Sequence, residues 1–326
     1  MEPRDDAGQP LVSAVVPTHN RTTRLRRAIK SILDQTYPNL ELIVVDDCSV
    51  VPAEEVLKPV QTERLPKSQI IRHDTNRGGA AARNTGITAA DGEFIAFLDD
   101  DDVWEPTKIS RQVTEFRSDE VPGVVYTGVK QVDERGNVKA IKTPTTEGDV
   151  TRAILLRNFV GTFSAVMIRS EVVDEVGLLD ERFPSWQDWE YYLRLSKDWE
   201  FRSVPKALVR REGGSHEQST DNFDERRDVT SELFREKFSP LAAEMGLENE
   251  FNAHVDFYLA KSALSNERYA DGRKAILRAI GRVPTEPVFY FYYFLFLGGR
   301  FTVEPIRKLK RIYVRTIVDT QNPLKN

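Results

Sequence analysis

Apolar residues along the first hundred positions alternate between two periods. Leu11–Val16 is a short β-branched run ended by Pro17, and Leu40–Val45 is a second buried strand. Phe94–Leu98 is a continuous apolar run of the kind a central strand covered on both faces requires. Between them, Thr22–Gln35 sets Leu25, Ala28, Ile29, Ile32 and Leu33 at helical spacing. Gln69–Arg72 reads as a third strand and Gly79–Ala90 as an alanine-rich helix. This alternation predicts an α/β fold, a mostly parallel sheet flanked by helices. From Val124 to Arg211 the pattern is mixed, with strands expected at Val124–Lys130, Ser164–Ile168 and Phe201–Val209 and a helix over Trp189–Ser196.

Beyond about Asp221 the chain turns helical and charged. Val255–Ile280 reads as two helices with a break near Arg268-Tyr269. That pair is open to two readings, a single tetratricopeptide-type unit or an ordinary helical pair packed on the sheet. The organisation expected is a flexible N-terminus over 1–10, a catalytic α/β domain over 11–220 and a C-terminal helical extension over 221–326.

Composition narrows the function classes. Lys plus Arg number 46 against 51 Asp plus Glu, a balance that argues against nucleic acid as a partner, because neutralising phosphates needs a basic surplus. Cys48, the single cysteine, has no internal disulfide partner, which favours a reducing, cytoplasmic setting. Met1–Pro10 is polar and lacks the apolar stretch of a signal peptide. No apolar run approaches the ~20 residues a spanning helix needs.

In open parallel sheets, ligands bind beyond the carboxyl ends of the strands. Three such ends carry unusual chemistry: Pro17-Thr18-His19-Asn20, Asp46-Asp47-Cys48-Ser49 and Asp99-Asp100-Asp101-Asp102. Four consecutive aspartates after a buried strand repel one another unless solvent, donors or a cation compensate, and a hard divalent ion suits carboxylate oxygen. Two families join an apolar strand to such a turn. The haloacid-dehalogenase phosphatases would use Asp99 as nucleophile. They also need a later Gly-Asp-x-x-x-Asp turn, which is missing, and about ninety residues of α/β pattern precede the motif.

The other resemblance covers most of residues 11 to 216. Val12 to Arg21, Ser31 to Pro38, Glu41 to Ser49 (with Cys48 where glycine is usual), Asn76 to Gly86 and Asp91 to Asp102 are similar, in order and spacing, to the family 2 glycosyltransferases of GT-A fold. The resemblance implies a Rossmann-like GT-A domain. It implies transfer of a sugar, a hexose, from a nucleotide-sugar donor, UDP-linked, to a hydroxyl acceptor with inversion, using Mn2+ or Mg2+. It places Asp101 on the metal, with Asp99 or Asp100 on the ribose or assisting. It sets Asp47 against the base, with Pro17, His19 and Asn20 lining the nucleotide pocket and Arg83 reaching diphosphate or base edge. Trp186 to Glu190 resembles the acceptor-site turn and helix start, which makes Asp188 the base, with Gln187 in place of the first member of the family's acidic pair and Glu190 as the fallback. His216 falls where related enzymes place a loop over the diphosphate, as a metal ligand or leaving-group donor. A non-catalytic nucleotide-sugar binding protein is the remaining alternative.

The acceptors implied are lipid-linked or polymeric glycans, in lipid-linked glycan, protein N-glycosylation or cell-surface polysaccharide assembly. Phe289–Leu297 is aromatic and apolar, and Ile306–Ile317 sets an apolar stripe opposite Arg307, Lys308, Lys310, Arg311 and Arg315. Such a basic amphipathic helix suits the cytoplasmic face of an anionic membrane or, equally, burial against the enzyme itself.

Overall fold

The apolar runs become neighbouring strands of one nine-stranded sheet in a computed structural model, which describes residues 8–60, 62, 65–117, 121–133, 136–212, 222–299, 301–302 and 305. The strands are β1 (Val12–Thr18), β2 (Leu40–Asp46), β3 (Lys67–Arg72), β4 (Phe94–Phe97), β5 (Asp102–Trp104), β6 (Val124–Val132), β7 (Val138–Lys142), β8 (Val166–Arg169) and β9 (Phe201–Glu212). They run in the order β3-β2-β1-β4-β8-β6-β9-β5, with β7 on β6. Pairing is parallel from β3 to β4, as the alternating pattern predicts. Beyond β4 the sheet is mixed: β8 is antiparallel to β4 and β6, β6 is parallel to β9, and β5 is antiparallel to β9.

Period-two geometry sorts the strand residues between two cores. Val15, Ile43, Val45, Ile95 and Phe97 face one side, where the helices Gly79–Thr88, Thr151–Leu156 and Gln187–Leu195 pack. Ala14, Val16, Leu42, Val44, Phe94 and Ala96 face the other, under Thr22–Leu33 and Lys108–Phe116. Helix Gly79–Thr88 lies so close to β1 that a Cβ on Gly86 would come within 2.3 Å of the Val15 side chain. Because β2 lies on one side of β1 and β4 on the other, a crevice opens at their carboxyl ends.

The C-terminal helices Ser231–Glu244, Glu248–Ser265 and Tyr269–Arg282 are not a free appendage. Phe234, Phe238, Phe251 and Val255 share the first core, and Phe234 meets Trp189 with ring centroids 4.6 Å apart. Lys237 donates to Asp180 at 2.8 Å and pairs with buried Glu190 at 2.7 Å, tying helix Ser231–Glu244 to the turn at Asp180 and to the helix that carries Asp188. The break expected near Arg268-Tyr269 is the turn between Ser265 and Tyr269. The aromatic run forms helix Pro287–Gly298, whose Tyr290, Phe291, Phe294 and Leu297 are exposed. Among the described residues no helix is long and apolar enough to cross a membrane. The predicted Ile306–Ile317 helix and His216 lie outside the described residues.

Phe234 is fully buried at the centre of five ring contacts, with Phe183, Trp186, Trp189, Phe238 and Phe251. Phe234→Ala is expected to cost about 3–5 kcal/mol, read as a lower urea midpoint with an unchanged slope. A loss below about 1 kcal/mol would show that the helices do not depend on this core.

Candidate active site

The first two strand ends build a backbone-lined ledge. Asp46, the last residue of β2, accepts from Ser49 N at 2.8 Å, Ala53 N at 2.9 Å and Arg72 at 2.5 Å. Burial pushes its carboxyl up, but those donors outweigh it and hold it below the usual carboxylate range. Asp46 therefore shapes the loop. Asp47 accepts from His73 Nδ1 at 2.8 Å, Arg77 N at 2.8 Å and Gly78 N at 2.7 Å. Gly78 sits at φ +89°, which lets both amides aim at one carboxylate. A carboxylate has about four acceptor sites, so one remains for a ligand.

His19 donates through Nδ1 to the Asp47 carbonyl at 2.6 Å, and its Nε2 accepts from Asn20 at 2.8 Å and Asn76 at 3.1 Å. Asn20, at φ 57°, also accepts from Val50 N at 2.7 Å, so the β1 and β2 loops are tied together. Cys48 has φ 61°, the left-handed conformation that explains why glycine is usual in this place. Pro17 is buried in β1, paired in register with Val45.

The acidic turn follows β4. Asp99 accepts from Arg83 at 2.5 Å and from Thr162 at 2.9 Å, and its backbone N–H donates to Ser164 Oγ at 3.0 Å. Burial raises its carboxyl, but the Arg83 guanidinium beside it prevails and holds it below the ordinary value. Asp100 accepts from Thr18 at 2.6 Å, yet burial pushes it up to about 7. Asp102 opens β5 and is pushed up to about 8 by burial against the opposing charge of Arg211, 3.5 Å away. Asp101 is raised by burial and by Asp99, and it has no hydrogen bond or ion pair among the described residues. The four adjacent carboxylates thus divide their roles: Asp99 and Asp100 are held by side chains from other elements, Asp102 is sunk in the sheet, and Asp101 is left for solvent or a ligand.

Asp188 faces the same ground from the helix Gln187–Leu195. It is the helix's second residue; Trp186, in the left-handed conformation at φ 58°, stands at the N-cap. Asp188 accepts from Trp189 N at 2.8 Å and from Asn158 at 3.0 Å. Burial raises its carboxyl, with Asp99 adding to the rise and Arg83 and Arg211 opposing it. Arg83 links the turn to the facing helix: it donates to Asp99 and, at 3.3 Å, to the Gln187 side-chain oxygen, with its guanidinium 4.4 Å over the Phe163 ring. Glu190 is buried and locked between Arg194 and Lys237, a structural acid.

Several of these groups carried no sequence signal. Arg211 reaches the turn only because β5 pairs antiparallel with β9, setting Asp102 opposite Arg211. Thr162 and Asn158 lie on irregular backbone between Leu156 and Phe163, where no periodicity marks them.

A sheet rim with an acidic turn after β4 and a separate acid on a facing helix start has a counterpart among known families. The family model described as glycosyl transferase family 2 matches residues 13–177. This chain belongs to glycosyl transferase family 2. Membership sets aside the phosphatase reading of Asp99. The chain is 34% identical over 186 residues to an uncharacterized glycosyltransferase of Nostoc, covering 55% of this chain and 56% of that one. It therefore spans little more than half of that relative. It is 31% identical to a Bacillus subtilis protein named as a glycosyltransferase of teichuronic acid biosynthesis, over 58% of this chain and 73% of the other.

Solved structures share the GT-A fold at low identity. S. aureus TarS 1-349 in complex with UDP-GlcNAc superposes with a TM-score of 0.58 at 17% identity, over 96% of this chain and 91% of that one. The mannosyltransferase of Pyrobaculum calidifontis in complex with GDP-Man and Mn2+ gives 0.58 at 15% identity, over 98% and 88%.

Arg83→Ala in this family 2 member strands Asp99 as a largely buried charge and is expected to cost about 3 kcal/mol. Adding Asp99→Asn should restore a good part of the loss, and urea melts of the four proteins in the cycle measure it. Strict additivity would mean that the pair is not coupled.

Proposed function

We propose that this protein transfers a hexose from a UDP-linked donor to a glycan or lipid-linked hydroxyl acceptor, with inversion, in cell-surface polysaccharide assembly. The observation that carries the reading is the meeting of two acids from distant segments, Asp101 in the turn and Asp188 on the helix, around the cations Arg83 and Arg211. The relative named for teichuronic acid biosynthesis and the neighbour bound to UDP-GlcNAc support the polymer and the donor class.

The ledge receives the nucleotide. Asp47 keeps one acceptor site for a base N–H, and Pro17, His19 and Asn20 form the wall beside it. Arg83 and Arg211 stand close enough to the turn to meet the diphosphate once it enters. Asp99, Asp100 and Asp101 offer hard carboxylate oxygens that fit Mn2+ or Mg2+, and Asp101, raised by burial and by Asp99 and without a hydrogen bond or ion pair among the described residues, is the one a cation would relieve most. When bound, such an ion would supply counter-charge to the leaving diphosphate. Among the described residues no group of three His, Cys, Asp or Glu side chains is clustered as a metal site, so ligand oxygens would complete the shell. His216, outside the described residues, keeps its proposed place over the diphosphate.

Asp188 takes the proton from the acceptor hydroxyl. Asn158 and the Trp189 amide fix its carboxylate, leaving acceptor capacity on both oxygens. Its raised pKa makes it a stronger base than an exposed carboxylate, provided it is ionised. One base and one displacement at the anomeric carbon invert the configuration.

Asp188→Asn should lower transfer about 10²–10⁴-fold while leaving UDP affinity within a few-fold. Asp101→Ala should abolish the response to Mn2+. Because Asp188 acts only when ionised and burial raises its pKa, activity should fall with acid along a limb lying above the ordinary carboxylate value of 3.8. Hydrolysis of simple phosphate esters without UDP-sugar binding would sink the reading.

We also place the enzyme on the cytoplasmic face of a membrane. The exposed aromatic face of helix Pro287–Gly298, followed by a basic segment, supports that position. Flotation with anionic vesicles, reduced by Phe291→Ser with Phe294→Ser, tests it; flotation unchanged by those substitutions removes the helix from the account.

A further inference from the structure

Away from the transferase residues, one buried carboxylate among the C-terminal helices gathers three guanidiniums. Asp256, on helix Glu248–Ser265, is fully buried. Its Oδ1 accepts from Arg235 at 3.0 Å and from Arg278 at 2.9 Å, and its Oδ2 from Arg282 at 2.5 Å. Arg235 also donates to Asn252 at 2.6 Å, and Arg227, beside them, is paired with Asp224 and Asp228. Asp256, Glu232, Asn252 and the four arginines line a cavity of about 250 Å³ whose walls are mostly polar.

The charges do not balance. One carboxylate neutralises one guanidinium, and the next nearest acid, Glu232, stands 3.8 Å from Arg235 with most of its side chain in solvent. Crowding three guanidiniums onto one buried carboxylate adds repulsion among the cations that the outlying Glu232 offsets only in part. Burial and the neighbouring Arg282 and Arg278 push Arg235 below its ordinary pKa, against the pull of Asp256 and Glu232. Arg278 places Nε and Nη2 on Asp256 and Arg282 only Nη1, and their remaining N–H donors have no protein acceptor among the described residues. Both side chains are partly exposed at the cavity mouth, 49% for Arg278 and 37% for Arg282. A surplus of about one positive charge, planar donor forks with unused N–H groups and a water-accessible cavity match an oxyanion such as phosphate.

We propose that this cavity is a phosphate site, in which Arg278 and Arg282 at the mouth and Arg235 beneath them bind a phosphate group, free or as a terminal ester. The site is independent of the donor pocket and does not rest on the transferase reading. Its place on the C-terminal helices gives the enzyme a second grip for a phosphorylated acceptor or headgroup while the sugar is transferred elsewhere.

The test uses the full chain and inorganic phosphate, with chloride matched for ionic strength. Phosphate should raise Tm saturably in the wild type, and Arg278→Ala with Arg282→Ala should weaken its binding about tenfold or more. That variant keeps the Arg235–Asp256 pair, so it should fold. Asp256→Asn supplies the opposite sign: with the internal anion gone, phosphate should bind more tightly and recover lost stability. Capture on phosphatidate vesicles that is lost in the double variant, where phosphatidylcholine vesicles give none, would place the phosphate on a lipid. Binding of inorganic phosphate without such capture would place it on a soluble ligand. If phosphate shifts the wild type no more than chloride does, or shifts the double variant equally, the arginines are only helix staples and the proposal fails.

Discussion

Four carboxylates packed onto one turn at the end of a buried strand set the electrostatic problem that the rest of the active site solves. Two unit charges 4 Å apart repel by about 1 kcal/mol in water but about 4 kcal/mol at the effective dielectric of a protein surface. Compensation has to come from groups that do not lie nearby in the chain. Thr18 arrives from β1, Arg83 from the helix Gly79–Thr88, Thr162 from the loop before β8 and Arg211 from the end of β9. The turn can be stable only when these elements are in place, so assembling the site and assembling the sheet are one process.

The compensation is uneven, and the unevenness has a direction. Asp99 is held low by its guanidinium, whereas Asp100 and Asp102 are pushed to about 7 and 8. Asp101, between two of these strained acids, has no partner of its own among the described residues. A turn left short of positive charge at its most accessible member is predisposed to accept a cation, and a cation there would in turn draw in a diphosphate. Arg83 and Arg211 then face two alternatives, the protein's acids or the ligand's phosphates, close together in space.

The sequence was most legible where burial leaves no freedom. β1, β2 and β4 are covered on both faces, so their apolar runs could mean little else, and the crevice at their ends follows from strand order. Asp46 and Asp47 show where legibility stops. Both stand at the same strand end, but only the folded loop reveals that Asp46 is consumed by Ser49, Ala53 and Arg72 while Asp47 orders the Arg77-Gly78 turn and keeps an acceptor site free. β5 has three residues and owes its existence to pairing with β9, so Arg211 could not be seen as a neighbour of the turn. Asn158, which fixes Asp188, sits on irregular backbone and is placed by tertiary contacts alone.

The C-terminal helices bear on the chemistry through Asp188, although they contribute no acid to the turn. Trp186 and Trp189 flank Asp188 and wedge against Phe234 and Tyr258, so the helix that carries Asp188 is packed by residues about fifty positions or more downstream. A carboxylate in the first turn of a helix is ordinarily favoured as the anion by the helix dipole. Here burial prevails and the pKa rises, which would strengthen Asp188 in the proposed role of base but leaves it sensitive to any further negative charge nearby. Gln187 makes sense in that light. A carboxylate in its place would compete with Asp99 for Arg83 and raise Asp188 further, toward a protonated and useless state. The neutral amide instead accepts from Arg83 and donates to the Phe183 carbonyl at 2.9 Å. It preserves the link between the turn and the helix of Asp188 without adding a negative charge beside either acid.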